Sequence, residues 1–295
     1  MNALRLRLPG LHRNAVSSIC WIAVWMWAAC VPSLAQQPKA NSGDAAATPA
    51  QAAEAAADEK APPALTHYMG REIARTMHFT GAPWLIRDER EREERASEMI
   101  AALGVKPGQV VCDLGCGNGF HALKLAKLVG AKGSVVGVDI QREMLLLLDA
   151  RAKEDGVDNI KTVLSLPHDP KLDEASVDLI LLVDVYHEFS HPQQMLAAMR
   201  RALKKDGRIA LVEFRAEDTR VPIKPEHKMS KKQILKEFPA NGFKLVAEYD
   251  KLPWQHLMFF GRDDGKEDGG KEEGKEIGDK VGDAAGGGKS PSNRE

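Results

Sequence analysis

The sequence predicts an α/β domain with a doubly wound, seven-stranded, mostly parallel sheet. Three observations carry this expectation. Short apolar runs that read as strands alternate along the chain with apolar-periodic segments that read as helices. The run Val110–Leu114 turns through closely set glycines, Gly115, Gly117 and Gly119, directly into such a helix. The run Val177–Val183 is nearly continuous in apolar residues, as a parallel strand covered on both faces requires.

Taken in order, two helices are expected ahead of the first strand, around 68–77 and over about 84–103. The second carries Arg87, Arg90, Glu91, Glu94 and Arg95 at spacings that let Arg and Glu pair along one face. A solvated charged face is the expected outcome, with substrate contacts the lesser alternative, and Trp84, next to Pro83, is expected in the core. After Val110–Leu114 and the helix ending near Val129, a second strand spans 134–138 and ends in the acid Asp139. A helix around 144–148, a strand at Ile160–Leu164 and the strand Val177–Val183 follow. A helix over 193–203 then leads through Asp206 and Gly207 into a fifth strand, 208–214. A helix at 230–238 and strands at Phe243–Tyr249 and 255–260 complete the set.

The rest of the 295 residues has a different composition. Arg5, Arg7 and Arg13 precede the apolar run 15–31, and Ser33, Leu34 and Ala35 offer small residues for a signal peptidase. Residues 1–35 are therefore expected to be a signal peptide cleaved after Ala35. An uncleaved anchor, or a lipid attached at Cys30, stays open. Each alternative leaves the basic end inside and places the domain outside the cytoplasm, periplasmic or membrane-tethered. Residues 36–63, rich in Ala and Pro, read as a linker, and 262–295, rich in Gly, Lys, Glu and Asp without an aromatic, as a disordered tail. One domain remains, 64–261. A formal net charge of −1 gives no support for nucleic-acid binding. Cys112 and Cys116 read as packing residues. Two cysteines without a paired histidine cluster nearby are too few for zinc, so no metal is expected.

Function is concentrated in the glycine turn. Closely set glycines let a ligand approach the backbone, and an acid ending the next strand can accept hydrogen bonds from ribose hydroxyls. The dinucleotide pattern G-x-G-x-x-G would need its third glycine where Phe120 stands; here the pattern is G-x-G-x-G. With Asp113 before it and Asp139 after it, the segment resembles the cofactor site of class I S-adenosylmethionine-dependent methyltransferases, which implies a Rossmann-like fold. The resemblance implies that Gly115, Cys116, Gly117 and Gly119 lie beside the methionine portion of S-adenosylmethionine. It also implies that Asp113 orients the amino-acid end, that Asp139 holds the ribose, and that the N-terminal helices form a lid. Asp169, after His168, falls where such enzymes often hold the adenine amino group. A turn-forming Asp before Pro170 is an equal alternative.

Asp184, Val185, Tyr186, His187 and Glu188 follow the fourth strand, and the resemblance places this loop at the transferable methyl group. Asp184, Tyr186 and His187 are the catalytic candidates, with Asp184 also a cofactor contact and Glu188 a substrate contact. His187 could take a proton from a substrate hydroxyl or amine, or could instead hold the loop. The long segment after the fifth strand adds Arg215, His227 and Lys228 as candidate contacts to an anionic substrate group, or as members of a loop tied by local ion pairs. Trp254, ahead of the last strand, reads as a buried or edge-packing aromatic, with a place in the pocket wall the lesser alternative. These segments also resemble a group of exported bacterial predicted methyltransferases. The expected function is methyl transfer to an unidentified small-molecule, lipid or protein acceptor. A non-catalytic envelope protein that keeps the fold as a binding module stays open, and so does a nucleotide-dependent oxidoreductase, which the glycine spacing disfavours.

Overall fold

The computed structural model describes residues 61–265. The expected leader, most of the linker (36–60) and most of the tail (266–295) lie outside the described residues. No helix among the described residues is long and apolar enough to cross a membrane.

In place of the helix expected over 68–77 stands a tight hairpin, β1 (His67–Tyr68) and β2 (Arg71–Glu72). Met69 and Gly70 sit at φ +47° and +96°, the two left-handed positions of a type I′ turn. Tertiary contacts hold it. Lys236 Nζ and Gln233 Nε2 donate to the Met69 carbonyl at 2.6 and 3.2 Å.

The helix expected over 84–103 is divided into a 3-10 segment (Phe79–Ile86), α1 (Arg90–Glu94) and α2 (Ala96–Ala102). Arg95 at φ +50° breaks the last two apart. The 3-10 segment buries Ala82 and leaves Trp84 42% exposed under the Arg87 guanidinium, 3.7 Å from the ring centre. Trp84 is thus not a core residue. The charged face is also more buried than expected. Arg90 donates to Glu94 at 2.6 Å with both side chains nearly inaccessible, and Arg87 reaches Glu94 at 2.7 Å.

The alternation that follows is close to expectation: β3 (Val110–Leu114), α3 (Ala122–Val129), β4 (Ser134–Asp139), α4 (Arg142–Glu154), β5 (Ile160–Leu164), β6 (Val177–Val183), α5 (Pro192–Ala202), β7 (Leu203–Phe214), α6 (Lys231–Ala240), β8 (Phe243–Tyr249) and β9 (Gln255–Arg262). Local chemistry sets several boundaries. Pro192 opens α5, where its missing N–H costs nothing. The Ser230 hydroxyl caps α6 by accepting from the Gln233 N–H at 3.1 Å. Strand β7 begins earlier than expected, because Leu203 already pairs with Val177 and the ladder resumes at Arg208 after an irregular step.

The seven strands pair in the order β5-β4-β3-β6-β7-β9-β8. Only β9 runs antiparallel to the other six strands. Successive residues of the central strands face opposite cores. Leu181 and Phe259 join Leu125 and Leu148 of α3 and α4, whereas Ile180 and Phe260 join Met199 and Phe238 of α5 and α6. Each such buried side chain contributes about 1.5–3 kcal/mol. The strand order reverses between β3 and β6, so the loops after these two strands diverge and leave a crevice at their carboxyl ends.

Candidate functional site

That crevice is a cavity of about 490 Å³, lined among others by Gly115, Gly117, Asp139, Asp184, His187, Glu188 and His227. Its floor is the glycine turn after β3. The Gly115 and Cys116 N–H groups both donate to the Val138 carbonyl, at 2.8 and 3.0 Å, which folds the turn over β4. Gly115 has φ +78°, and a Cβ there would lie 2.4 Å from Val185 Cγ2. Gly117 has φ +51°, and its Cβ would meet Leu85 Cδ1 at 2.6 Å. A side chain at either position would collide with Val185 or Leu85, so only bare backbone fits where these residues close over the turn.

Asp139 closes β4 beside this turn. Its Oδ2 accepts the Gly117 N–H at 2.9 Å and its Oδ1 the Gln141 N–H at 2.8 Å. Burial pushes the carboxyl pKa up, while the N–H groups of Gln141, Gly117 and Ile140 pull it down without fully offsetting that. Three N–H groups on two oxygens leave a lone pair over, so the held carboxylate can accept a further hydrogen bond from a ligand in the cavity.

The opposite wall comes from the loop after β6. Asp184 is strained, at φ +50°. Its Oδ2 accepts from Gln255 Nε2 at 2.6 Å, while its covered Oδ1 has no partner among the described residues. Burial, with the nearby Glu94 and Glu213 charges, pushes its pKa well up. His187 Nδ1 lies 2.6 Å from Glu213 Oε2, and Glu213 is fully buried. His187 Nε2 faces His227 Nδ1 at 3.1 Å, and Glu188 Oε1 is 4.0 Å from each of those nitrogens. Burial works against a charged His187, but the Glu213 and Glu188 carboxylates outweigh it and its pKa is raised. Burial pushes the Glu188 carboxyl up to about 7, against the pull of His187. His227, on the 3-10 turn Pro225–His227, is shifted down by burial and by His187.

Several candidates lie outside the cavity wall. Asp113 is buried behind the glycine turn, where it accepts from the Ala122 N–H and leaves Oδ2 without a partner among the described residues. Cys116 and Gly119 face inward. The Cys116 sulfur sits beside Gly137, and a Cβ on Gly119 would meet Leu148 Cδ1 at 2.2 Å. Asp169 forms the turn that was its alternative reading, accepting the Lys171 N–H at 2.8 Å, and Leu166 and Pro167 take its place at the wall. Tyr186 points away from the cavity and donates to Glu237 at 2.6 Å. Arg215 is held by His256 and the Leu252 carbonyl at 3.2 and 3.3 Å. Lys228 Nζ donates to the Val221 and Asp218 carbonyls at 2.8 and 3.3 Å. These last two belong to a locally tied loop.

The wall also includes Arg75, Leu85, Gln141 and Lys224, which are not among the site candidates of the sequence, and Arg90, for which substrate contact is only the lesser alternative to a solvated face. Gln141 follows Asp139 by two positions and is the one with a local signal. Arg90 has none; it is buried because α1 docks on the glycine turn, where its guanidinium lies 3.1 Å from His121 Nε2 and over the Phe120 ring.

A family model described as a methyltransferase domain matches residues 105–273. A demethylmenaquinone methyltransferase from Lactobacillus johnsonii is 31% identical over 153 residues, 50% of this chain and 59% of that protein. An uncharacterized 37.1 kDa protein in a transposon, from Streptomyces fradiae, is 34% identical over 117 residues, 40% of this chain and 33% of that protein. The chain thus spans well under two thirds of the length of these relatives. Among solved structures, a SAM-dependent methyltransferase from Aquifex aeolicus superposes with a TM-score of 0.60 at 23% identity, covering 63% of this chain and 98% of that one, a likeness of fold. With the family model matched over more than half of its length, and the strand order and glycine turn described above, the chain belongs to the methyltransferase-domain family and has the Rossmann-like fold of class I S-adenosylmethionine-dependent methyltransferases.

Proposed function

We propose that the domain binds S-adenosylmethionine across the glycine turn and Asp139, and transfers its methyl group to an acceptor seated against His187, Glu188 and His227. The observation that carries this reading is the meeting of Gly115, Gly117, Asp139, Asp184 and His187 on one cavity at the strand reversal. The residues fit the cofactor: a glycine turn whose bare backbone lines the cavity lies beside a carboxylate that keeps a lone pair free at the end of β4. When bound, S-adenosylmethionine supplies a sulfonium methyl that is already electrophilic. The chain's own part is to align the acceptor, to exclude water and to receive a proton. His187, tied through Nδ1 to Glu213, and Glu188 are the groups placed for that proton. Leu85, Phe189, Met195, Phe214 and Ile223 make much of the wall apolar. They favour an acceptor with an apolar body, whether a small molecule, a lipid or a protein side chain, whose hydroxyl or amine would face His187 and Glu188.

Calorimetric titration of the full chain with S-adenosylmethionine, and separately with NAD, tests the reading. Saturable binding of S-adenosylmethionine alone is expected. Binding of NAD alone would revive the oxidoreductase, and binding of neither by folded protein would leave a non-catalytic module.

The proposal includes an address outside the cytoplasm, supported by Arg5, Arg7 and Arg13 ahead of the apolar run 15–31. Protease added to cells with a permeabilised outer envelope should digest the domain; full protection behind an intact inner membrane would overturn this.

A further inference from the structure

The groups that face one another across the acceptor end of the cavity are of metal-binding type. His187 and Glu188 come from the loop after β6, and His227 from the 3-10 turn before α6, forty residues later in sequence. His187 Nε2, His227 Nδ1 and a Glu188 oxygen lie within 4.8 Å of one another, and all three residues line the cavity. Two nitrogens bound to one ion at about 2.0–2.1 Å stand roughly 3 Å apart. The two ring nitrogens here are 3.1 Å apart. Glu188 Oε1, at 4.0 Å from each, must shift by about 1 Å to join them, within a carboxylate that also accepts from the Met77 N–H and the Thr76 hydroxyl.

A second observation is independent of that spacing. The Nδ1–H of His187 donates to the fully buried Glu213 carboxylate at 2.6 Å. In the neutral ring this bond keeps the proton on Nδ1 and directs the Nε2 lone pair into the cluster. A carboxylate behind a histidine is the arrangement that orients metal-bound imidazoles and raises their basicity.

We propose that His187, Glu188 and His227 bind one divalent transition-metal ion of the zinc and cobalt type. Two imidazoles and one carboxylate suit such borderline ions, whereas magnesium and calcium prefer an all-oxygen set. Three protein ligands leave a coordination position open, and here it opens onto the cavity. The metal site stands without the methyl-transfer reading; its use in catalysis rests on that reading. With the ion bound, His187 and Glu188 would serve as its ligands in place of receiving the proton, and an acceptor hydroxyl coordinated at the open position would release its proton to solvent more readily. The resulting oxygen would form the new O–CH₃ bond as the S–CH₃ bond breaks, leaving a neutral thioether.

The test uses the full chain stripped of metal and titrated with Co²⁺ alone, read by calorimetry and by visible absorption. One equivalent should bind, with the intense d–d bands of four- or five-coordinate cobalt, and excess Mg²⁺ should not displace it. His227→Ala and Glu188→Gln should each weaken binding by roughly tenfold or more. Both retain the Glu213–His187 contact, and their thermal melts report whether they are folded. Absence of saturable binding, ready displacement by Mg²⁺, or unchanged affinity in a folded His227→Ala protein would overturn the site. S-adenosylmethionine titrated into the same preparation separates failure of the metal site from failure of the methyl-transfer reading.

Discussion

The Tyr186 hydroxyl donates to Glu237 Oε2 at 2.6 Å, on the far side of the loop from the cavity that His187 faces. Glu237 is fully buried in α6 and also receives Arg71 at 2.7 and 3.2 Å and Gln233 at 2.7 Å. Arg71 in turn donates to the His187 carbonyl at 3.0 Å. The loop bearing His187 and Glu188 is therefore fixed from behind by a satisfied polar network, and the β1–β2 hairpin is the strap that closes it.

This assigns Tyr186 to loop support. Tyr186→Phe should cost about 1–2 kcal/mol of stability in urea denaturation and leave S-adenosylmethionine affinity near wild type. Glu237→Ala should cost about 3–5 kcal/mol, because Arg71 loses its buried partner. A Tyr186→Phe protein of full stability and sharply weaker ligand binding would return Tyr186 to the cavity.

Asp139 carries the opposite expectation. Its carboxylate holds the Gly117 and Gln141 N–H groups and faces the cavity. Asp139→Ala should weaken S-adenosylmethionine binding by about 10–100-fold, the worth of one or two hydrogen bonds to a charged group. Unchanged affinity by titration would remove Asp139 from the cofactor site.

The elements read correctly from sequence are those whose signal is local. Val177–Val183 is apolar because both its faces are covered, and Asp139 is conspicuous because it ends a strand next to a glycine turn. The failures involve partners distant in sequence. Met69 turns where α6 offers Lys236 and Gln233 to its carbonyl. Nothing nearby in sequence distinguishes buried Arg90 from exposed Arg92; the docking of α1 decides. Tyr186 and His187 are adjacent in one loop, so composition could not say which faced the ligand. The His187–His227 pair spans forty residues and has no spacing motif to reveal it.

Gly117 and Gly119 should separate by phenotype although both belong to one motif. A Cβ on Gly119 meets Leu148, a fully buried side chain that has nowhere to move. Gly119→Ala should therefore lose about 2–3 kcal/mol by overpacking and left-handed strain. A Cβ on Gly117 meets only the tip of Leu85 on the 3-10 segment and projects toward the ligand cradle. Gly117→Ala should show the larger relative loss of S-adenosylmethionine affinity. Equal losses of stability and affinity in the two variants would contradict this division.

Asp113 makes stability depend on pH in a definite direction. Burial pushes its carboxyl from 3.8 up to about 7, against the pull of the Arg90 charge and the Ala122 N–H and with a further push from Asp139. The unfolded chain releases this proton near pH 4, whereas the folded chain holds it until about pH 7. Between those values the folded state binds more protons, so this group's contribution falls as pH rises and levels off above about 7. Asp184 and Glu188 are shifted the same way, so the informative quantity is the difference between Asp113→Asn and wild type at each pH. Asn keeps an oxygen for the Ala122 N–H and cannot ionise. Relative to its value at pH 5, the variant should gain stability over wild type by pH 8, by at most about 3 kcal/mol. Urea midpoints at pH 5, 6.5 and 8 measure it. A difference that stays flat across that range would mean that Asp113 ionises as readily in the folded chain as in the unfolded one, and that burial behind the glycine turn does not hold its proton.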